Sequence, residues 1–215
     1  MLPSVHEKYA TDVHATEPAH VHFSSQCAAL QANLLLPMSS DSDELRVLDE
    51  EPGRFAFLAW RNITIVVWLA LPDSADIARL IRMGTSRAAE SPEGLSDVHF
   101  VTRKVGLPDA ETRSALTNAA RSGSPHLGAV GVWLPETGFW ASAVRSFVTG
   151  LSLLLRGAFE VRVFAELEAL SEWLPGVHES RTGVAVARSQ LLEMLRRAEL
   201  RAETPAASRR PSVTN

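Results

Sequence analysis

The sequence predicts an α/β domain built on a mixed, largely parallel sheet. Two observations carry this. After an opening pair of β-rich runs, strand-length segments alternate with stretches of helical periodicity, in the order β-β-α-β-α-β-α-β-α with one added C-terminal helix. Residues 127–134 are continuously apolar, as expected of a strand at the centre of a sheet covered on both faces.

The elements follow in order. Residues 54–60 and 63–69 are two β-rich runs separated by Arg61-Asn62, the signature of a tight hairpin, with Asn the residue that better tolerates a left-handed backbone. Pro72-Asp73-Ser74 opens a helix to about residue 89, with Ile77, Leu80 and Ile81 on one face and Arg79, Arg82 and Arg87 away from it. Residues 97–103 alternate around Val98 and Phe100 as a strand. A second helix starts at Pro108-Asp109 and stops at Ser122-Gly123-Ser124-Pro125. After the apolar strand, residues 135–138 form a turn in which Thr137 suits an N-cap. The longest apolar helix spans 139–156, with Trp140, Val144, Phe147, Leu151, Leu154 and Leu155 on a wide stripe. A short edge-like strand at 160–165 precedes a helix over 166–174 that Pro175-Gly176 should end. The added helix, 184–203, presents Ala187, Leu191, Leu192, Leu195 and Ala198 on one side.

This organisation divides the chain into a flexible arm (1–46, with a turn or two of helix near 28–36), an α/β domain (47–175), a linker and amphipathic helix (176–203) and a disordered tail (204–215). The 215 residues carry 21 basic against 25 acidic side chains, a net charge of −4, which argues against a nucleic-acid binder. The single cysteine, Cys27, excludes an intramolecular disulfide and fits a reducing cytoplasm. The first residues are polar and lack the apolar core of a secretory signal, and the apolar stretches 55–71 and 139–155 are broken by polar residues, so no membrane span is expected. The basic residues are arginines except Lys8 and Lys104, the bias of a GC-rich bacterial genome.

The element order over about 54–175 is similar to the SpoIIAA-like fold of STAS domains (sulfate transporter and anti-sigma-factor antagonist). The strings Thr137-Gly138-Phe139-Trp140-Ala141-Ser142-Ala143-Val144-Arg145-Ser146, Phe159-Glu160-Val161-Arg162-Val163-Phe164 and Ala169 to Trp173-Leu174 also resemble bacterial STAS-like proteins. The resemblance implies a non-catalytic regulatory module that binds a partner protein. Anti-sigma-factor antagonists carry a phosphorylated Ser or Thr in an Asp-Ser-Ser-Gly-like loop after the third strand. Here that loop reads Lys104-Val105-Gly106-Leu107-Pro108-Asp109-Ala110-Glu111-Thr112, so the phosphoswitch does not carry over. The same fold resembles the lipid-carrying CRAL-TRIO domain, which implies an alternative, a small-ligand or lipid sensor with a cavity lined by the apolar helix.

The expected protein-binding surfaces are the hairpin tip, Trp60 and Arg61, and the start of the apolar helix, Thr137, Phe139, Trp140 and Arg145, because exposed Trp and Arg dominate interface energetics. For Trp60 interface and core are equal alternatives. Charge reversal at Arg145 is expected to weaken partner capture without unfolding. The C-terminal helix is expected to dock on its own domain, with pairing to a second copy as the alternative. No cofactor or metal site is expected. His14, His20, His22 and Cys27 are ligand types without an evident scaffold, and polar tail composition accounts for them. Glu136, Thr137 and Arg145 gather where open sheets bind anions, but no phosphate-binding glycine motif accompanies them. Nucleophile motifs are absent, and Asp73, Asp76, Asp109 and Glu111 sit where helix starts favour acids. An enzyme would require Glu136, His99 or His126 to converge in one cleft; His178 reads as a linker residue.

Overall fold

The computed structural model describes residues 44–102, 105–123, 125–155 and 157–203. The expected arm with its His14, His20, His22 and Cys27, and the expected tail, lie outside them. The order is β1 (Arg46–Glu51), β2 (Phe55–Trp60), β3 (Ile63–Trp68), α1 (Ser74–Glu90), β4 (Leu95–Val101), α2 (Ala110–Gly123), β5 (Leu127–Trp133), α3 (Phe139–Leu154), β6 (Glu160–Phe164), α4 (Leu167–Thr182) and α5 (Arg188–Glu203). The α/β class and the mixed, mostly parallel sheet are as the sequence predicts. All six strands lie side by side in chain order, with β1–β2 and β2–β3 antiparallel and β3 through β6 parallel.

β1 is the element the sequence reading missed, because it placed the arm's end at 46. Four of its six residues are charged and none is buried, the composition of an edge strand that resists pairing with other chains. Ion pairs fasten it to α1: Arg79 takes both Asp49 carboxylate oxygens, at 3.0 and 2.8 Å, and reaches Glu51 at 2.6 Å. Asp73 caps α1 reciprocally with Asp76, and Arg54 bridges both carboxylates.

Each sheet face has its own cover. Ala56, Leu58, Trp60, Ile63, Ile65, Val67, Val98, Phe100, Ala129 and Trp133 form one continuous core with Leu167, Leu170, Leu174 and Val177 of α4 and Leu191, Met194, Leu195 and Ala198 of α5. α4 comes close to β5 because two strand glycines leave room. A Cβ on Gly128 would stand 2.7 Å from Arg181 Cβ, and one on Gly131 would stand 3.3 Å from Leu170 Cδ1. The other face carries two separate clusters. One joins Phe55, Phe57, Val66 and Trp68 to Leu80 and Met83 of α1, and the other joins Val132 and Leu134 to Ala141, Val144 and Val148 of α3.

Two expectations are corrected here, and one alternative is set aside. Pro175-Gly176 does not end a helix. α4 runs through both residues to a left-handed cap at Gly183, since Leu170, Leu174 and Val177 anchor it on either side of the proline. The segment from 176 is therefore not a linker. Thr137 does not cap α3; Gly138 does, at φ +88° and without a side-chain hydrogen bond. The apolar stripe of α5 is buried on the domain's own sheet, so it is not available to a second copy.

His178 is fully buried rather than a linker residue. The Asn62 amide donates to the Gly94 carbonyl at 3.0 Å, which leaves its Oδ1 to accept from His178 Nε2–H at 3.0 Å. His178 Nδ1 then accepts from the Ser96 hydroxyl at 2.8 Å. This chain joins the β2–β3 turn, β4 and α4, and it explains why Arg61, at φ +51°, takes the left-handed position instead of Asn62. Burial pushes the His178 pKa down to about 4, against a smaller opposing pull from Glu93. Replacing His178 with Ala leaves Ser96 and Asn62 buried without their partner, a loss of about 1–3 kcal/mol per group. Thermal melts should show a drop of roughly 2–4 °C per kcal/mol lost. A His178→Ala variant that melts with the wild type would show that the network does not stabilise the fold.

Candidate functional site

The side chains of α2 determine what lies between the two clusters. Its inward positions are Leu116, Ala119, Ala120 and Gly123, and none of its residues is buried. Apart from Leu116 these side chains are short, and α2 packs mainly against α1. On α1 the helical Gly84 faces the same space, with nothing within 4 Å of where its Cβ would be. The result is a cavity of about 440 Å³ between β3–β6 and helices α1, α2 and α3. Its walls are mainly apolar, including Trp68, Met83, Val130, Val132, Val144, Phe147, Leu151 and Phe159. Thr85, Ser122 and His126, all exposed, line it at the ends of α1 and α2 and the start of β5.

The polar residues of the cavity floor sit on the central strands. β4 reads LSDVHFV, so strict alternation turns Ser96, Val98 and Phe100 to the packed face and Asp97 and His99 to the hollow one. Asp97 and His99 lie mid-sheet yet keep partial exposure, because they face the cavity. Thr64 is the register partner of Asp97 on β3 and lines the same floor. Burial raises the Asp97 carboxyl to about 7, while the Thr64 hydroxyl and the Arg87 charge pull it back. His99 is pushed down to about 4 by burial and is neutral at neutral pH. Trp68 Nε1–H donates to His99 Nδ1 at 3.2 Å, which places the imidazole proton on Nε2.

The residues singled out from sequence fare differently. Trp60 is core, 1% exposed and packed within the α4/α5 cluster, so it offers no partner a surface. Arg61 lies over its ring at 5.0 Å, and its carbonyl accepts from the Arg87 guanidinium. Phe139 is 86% exposed, Thr137 is exposed and Trp140 is partly buried. Arg145 donates to the Leu134 and Glu136 carbonyls at 3.4 and 3.2 Å, so it braces the β5–α3 turn, and reversing its charge disturbs that turn as well as any surface. His99 and His126 both line the cavity, whereas Glu136 is not among its lining residues. Asp97 was missed as a site residue. The signal for it was an acid and a histidine two apart inside an otherwise apolar strand.

Among the described residues no helix is long and apolar enough to cross a membrane, and no three metal-ligating side chains come together. No protein-family model matches the chain, and no curated protein matches it.

In the folded chain Asp97 holds a proton that the unfolded chain releases, so its contribution to stability is lost as pH rises from about 4 to about 7. His99 and His178 act oppositely in an overlapping window: the unfolded chain takes up protons as pH falls from about 6.5 to about 4 and the folded chain does not. Asp97→Asn should therefore melt above the wild type at pH 8, with the gap closing at pH 5. A gap that does not change with pH would rule out a raised Asp97 pKa.

Proposed function

We propose that this domain binds a small, largely apolar molecule in the cavity between its sheet and helices α1–α3. One observation carries the reading: about 440 Å³ of apolar space closes over a short polar floor of Thr64, Asp97 and His99. Ligand pockets have this size and this ratio of apolar wall to convergent polar groups. A perturbed carboxyl in the same space adds support. The neutral His99 has its proton on Nε2 and its other nitrogen engaged by Trp68, so it supports ligand binding better than general-base chemistry.

Gly84 provides the test. Gly84→Phe places a ring in the cavity, while removing a glycine from a helix interior favours the fold, by roughly 0.5–1 kcal/mol for Ala and by less for Phe. Uptake of the neutral dye Nile red should fall at least tenfold in Gly84→Phe and persist in Gly84→Ala, with neither variant melting below the wild type. Equal uptake by all three would place the dye elsewhere and defeat the reading.

A second reading, a cytoplasmic STAS-like module that captures a partner protein, is supported by Phe139, whose ring is 86% exposed beside Thr137 at the start of α3. Phe139→Ser should leave the melting temperature within about 1 °C, since surface substitutions stay within about ±0.5 kcal/mol. It should also abolish capture of any partner that the wild type retains in pull-downs. Unchanged capture would remove Phe139 from the contact surface.

A further inference from the structure

This inference rests on the cavity reading and concerns the chemistry of the occupant's polar end. His99 Nδ1 is occupied by Trp68, and Nε2–H has no partner among the described residues and belongs to a side chain that lines the cavity. Once a ligand displaces water from the cavity, such a donor calls for an acceptor from that ligand. Asp97 lies two positions along the same strand face, about 7 Å away along the strand. No Lys or Arg is among the described lining residues.

We propose that the cavity selects an uncharged oxygen head group, a hydroxyl or carbonyl on an otherwise apolar molecule, which accepts from His99 Nε2–H beside Asp97. A carboxylate would stand next to Asp97, where the one described cation that acts on Asp97, Arg87, is already engaged by Glu90 and the Arg61 carbonyl, and it would lose its hydration on entry. An ammonium could approach Asp97 but would set a second donor against the Nε2–H and leave that proton unmatched. A pure hydrocarbon would fill the walls and leave the floor unsatisfied.

Displacement of Nile red from the full chain at pH 7.5 separates these cases, using octan-1-ol, octan-2-one, octanoate, octylammonium and octane. The alcohol and ketone should displace at concentrations about tenfold or more below the other three, the size of effect one buried hydrogen bond gives. His99→Phe should bring octan-1-ol to the level of octane and leave octane unchanged. If that variant does not fold, the wild-type series alone decides. Octane matching octan-1-ol would overturn the head-group assignment and leave the cavity reading intact, and so would octanoate or octylammonium binding most tightly. Absence of dye uptake by the wild type would overturn both.

Discussion

Side chains must fill the layer between a sheet and the helices covering it, and this protein meets that requirement on one face only. On the α4/α5 face, large aliphatic residues interlock with Ile63, Ile65, Val98 and Phe100, and strand glycines let α4 come close. On the opposite face α1 and α3 pack at the flanks, while α2 spans the middle with one leucine, two alanines and a glycine on its inner side. The cavity is the space those short side chains leave. Its position over the central strand β4 and the partial exposure of its floor both follow from that one deficit.

The buried polar groups divide along the same line. On the packed face Asn62, Ser96 and His178 satisfy one another in a closed chain, so the histidine fixes the fold and offers nothing to a ligand. On the hollow face Asp97 and His99 are only partly satisfied by the protein. Two histidines of similarly lowered pKa thus have different meanings, and hydrogen-bond completeness distinguishes them, not pKa. Alternation on one strand produces the division, since Ser96 and Asp97 are neighbours in sequence and face opposite layers.

The outer surface bears separately on recognition. Trp60 lies beneath α5, and Arg61 contributes its carbonyl to Arg87 and its guanidinium to the Trp60 ring. Interface statistics for tryptophan are averages over surfaces, and a hairpin tip covered by a later helix is not one of them. Phe139, in contrast, precedes the buried stripe of α3 and is left outside by the turn that Arg145 braces.

The sequence by itself determined the α/β class, the hairpin, three βα crossovers and the apolar stripe of the last helix, because hydrophobic periodicity and turn residues are local signals. It also placed Asp73 and Asp109 at helix starts, where Asp73 accepts from the Asp76 amide and Asp109 from the Thr112 amide. Tertiary structure decided the rest. Whether Pro175 ends a helix depended on Leu170, Leu174 and Val177 finding the sheet, and whether RVLDEE becomes a strand depended on Arg79 and the β2 edge. The site depended on depth. Gly84, Ala119 and the Asp97–His99 pair lie on three different elements, and only the packing distance between α2 and β4 makes them walls and floor of one cavity.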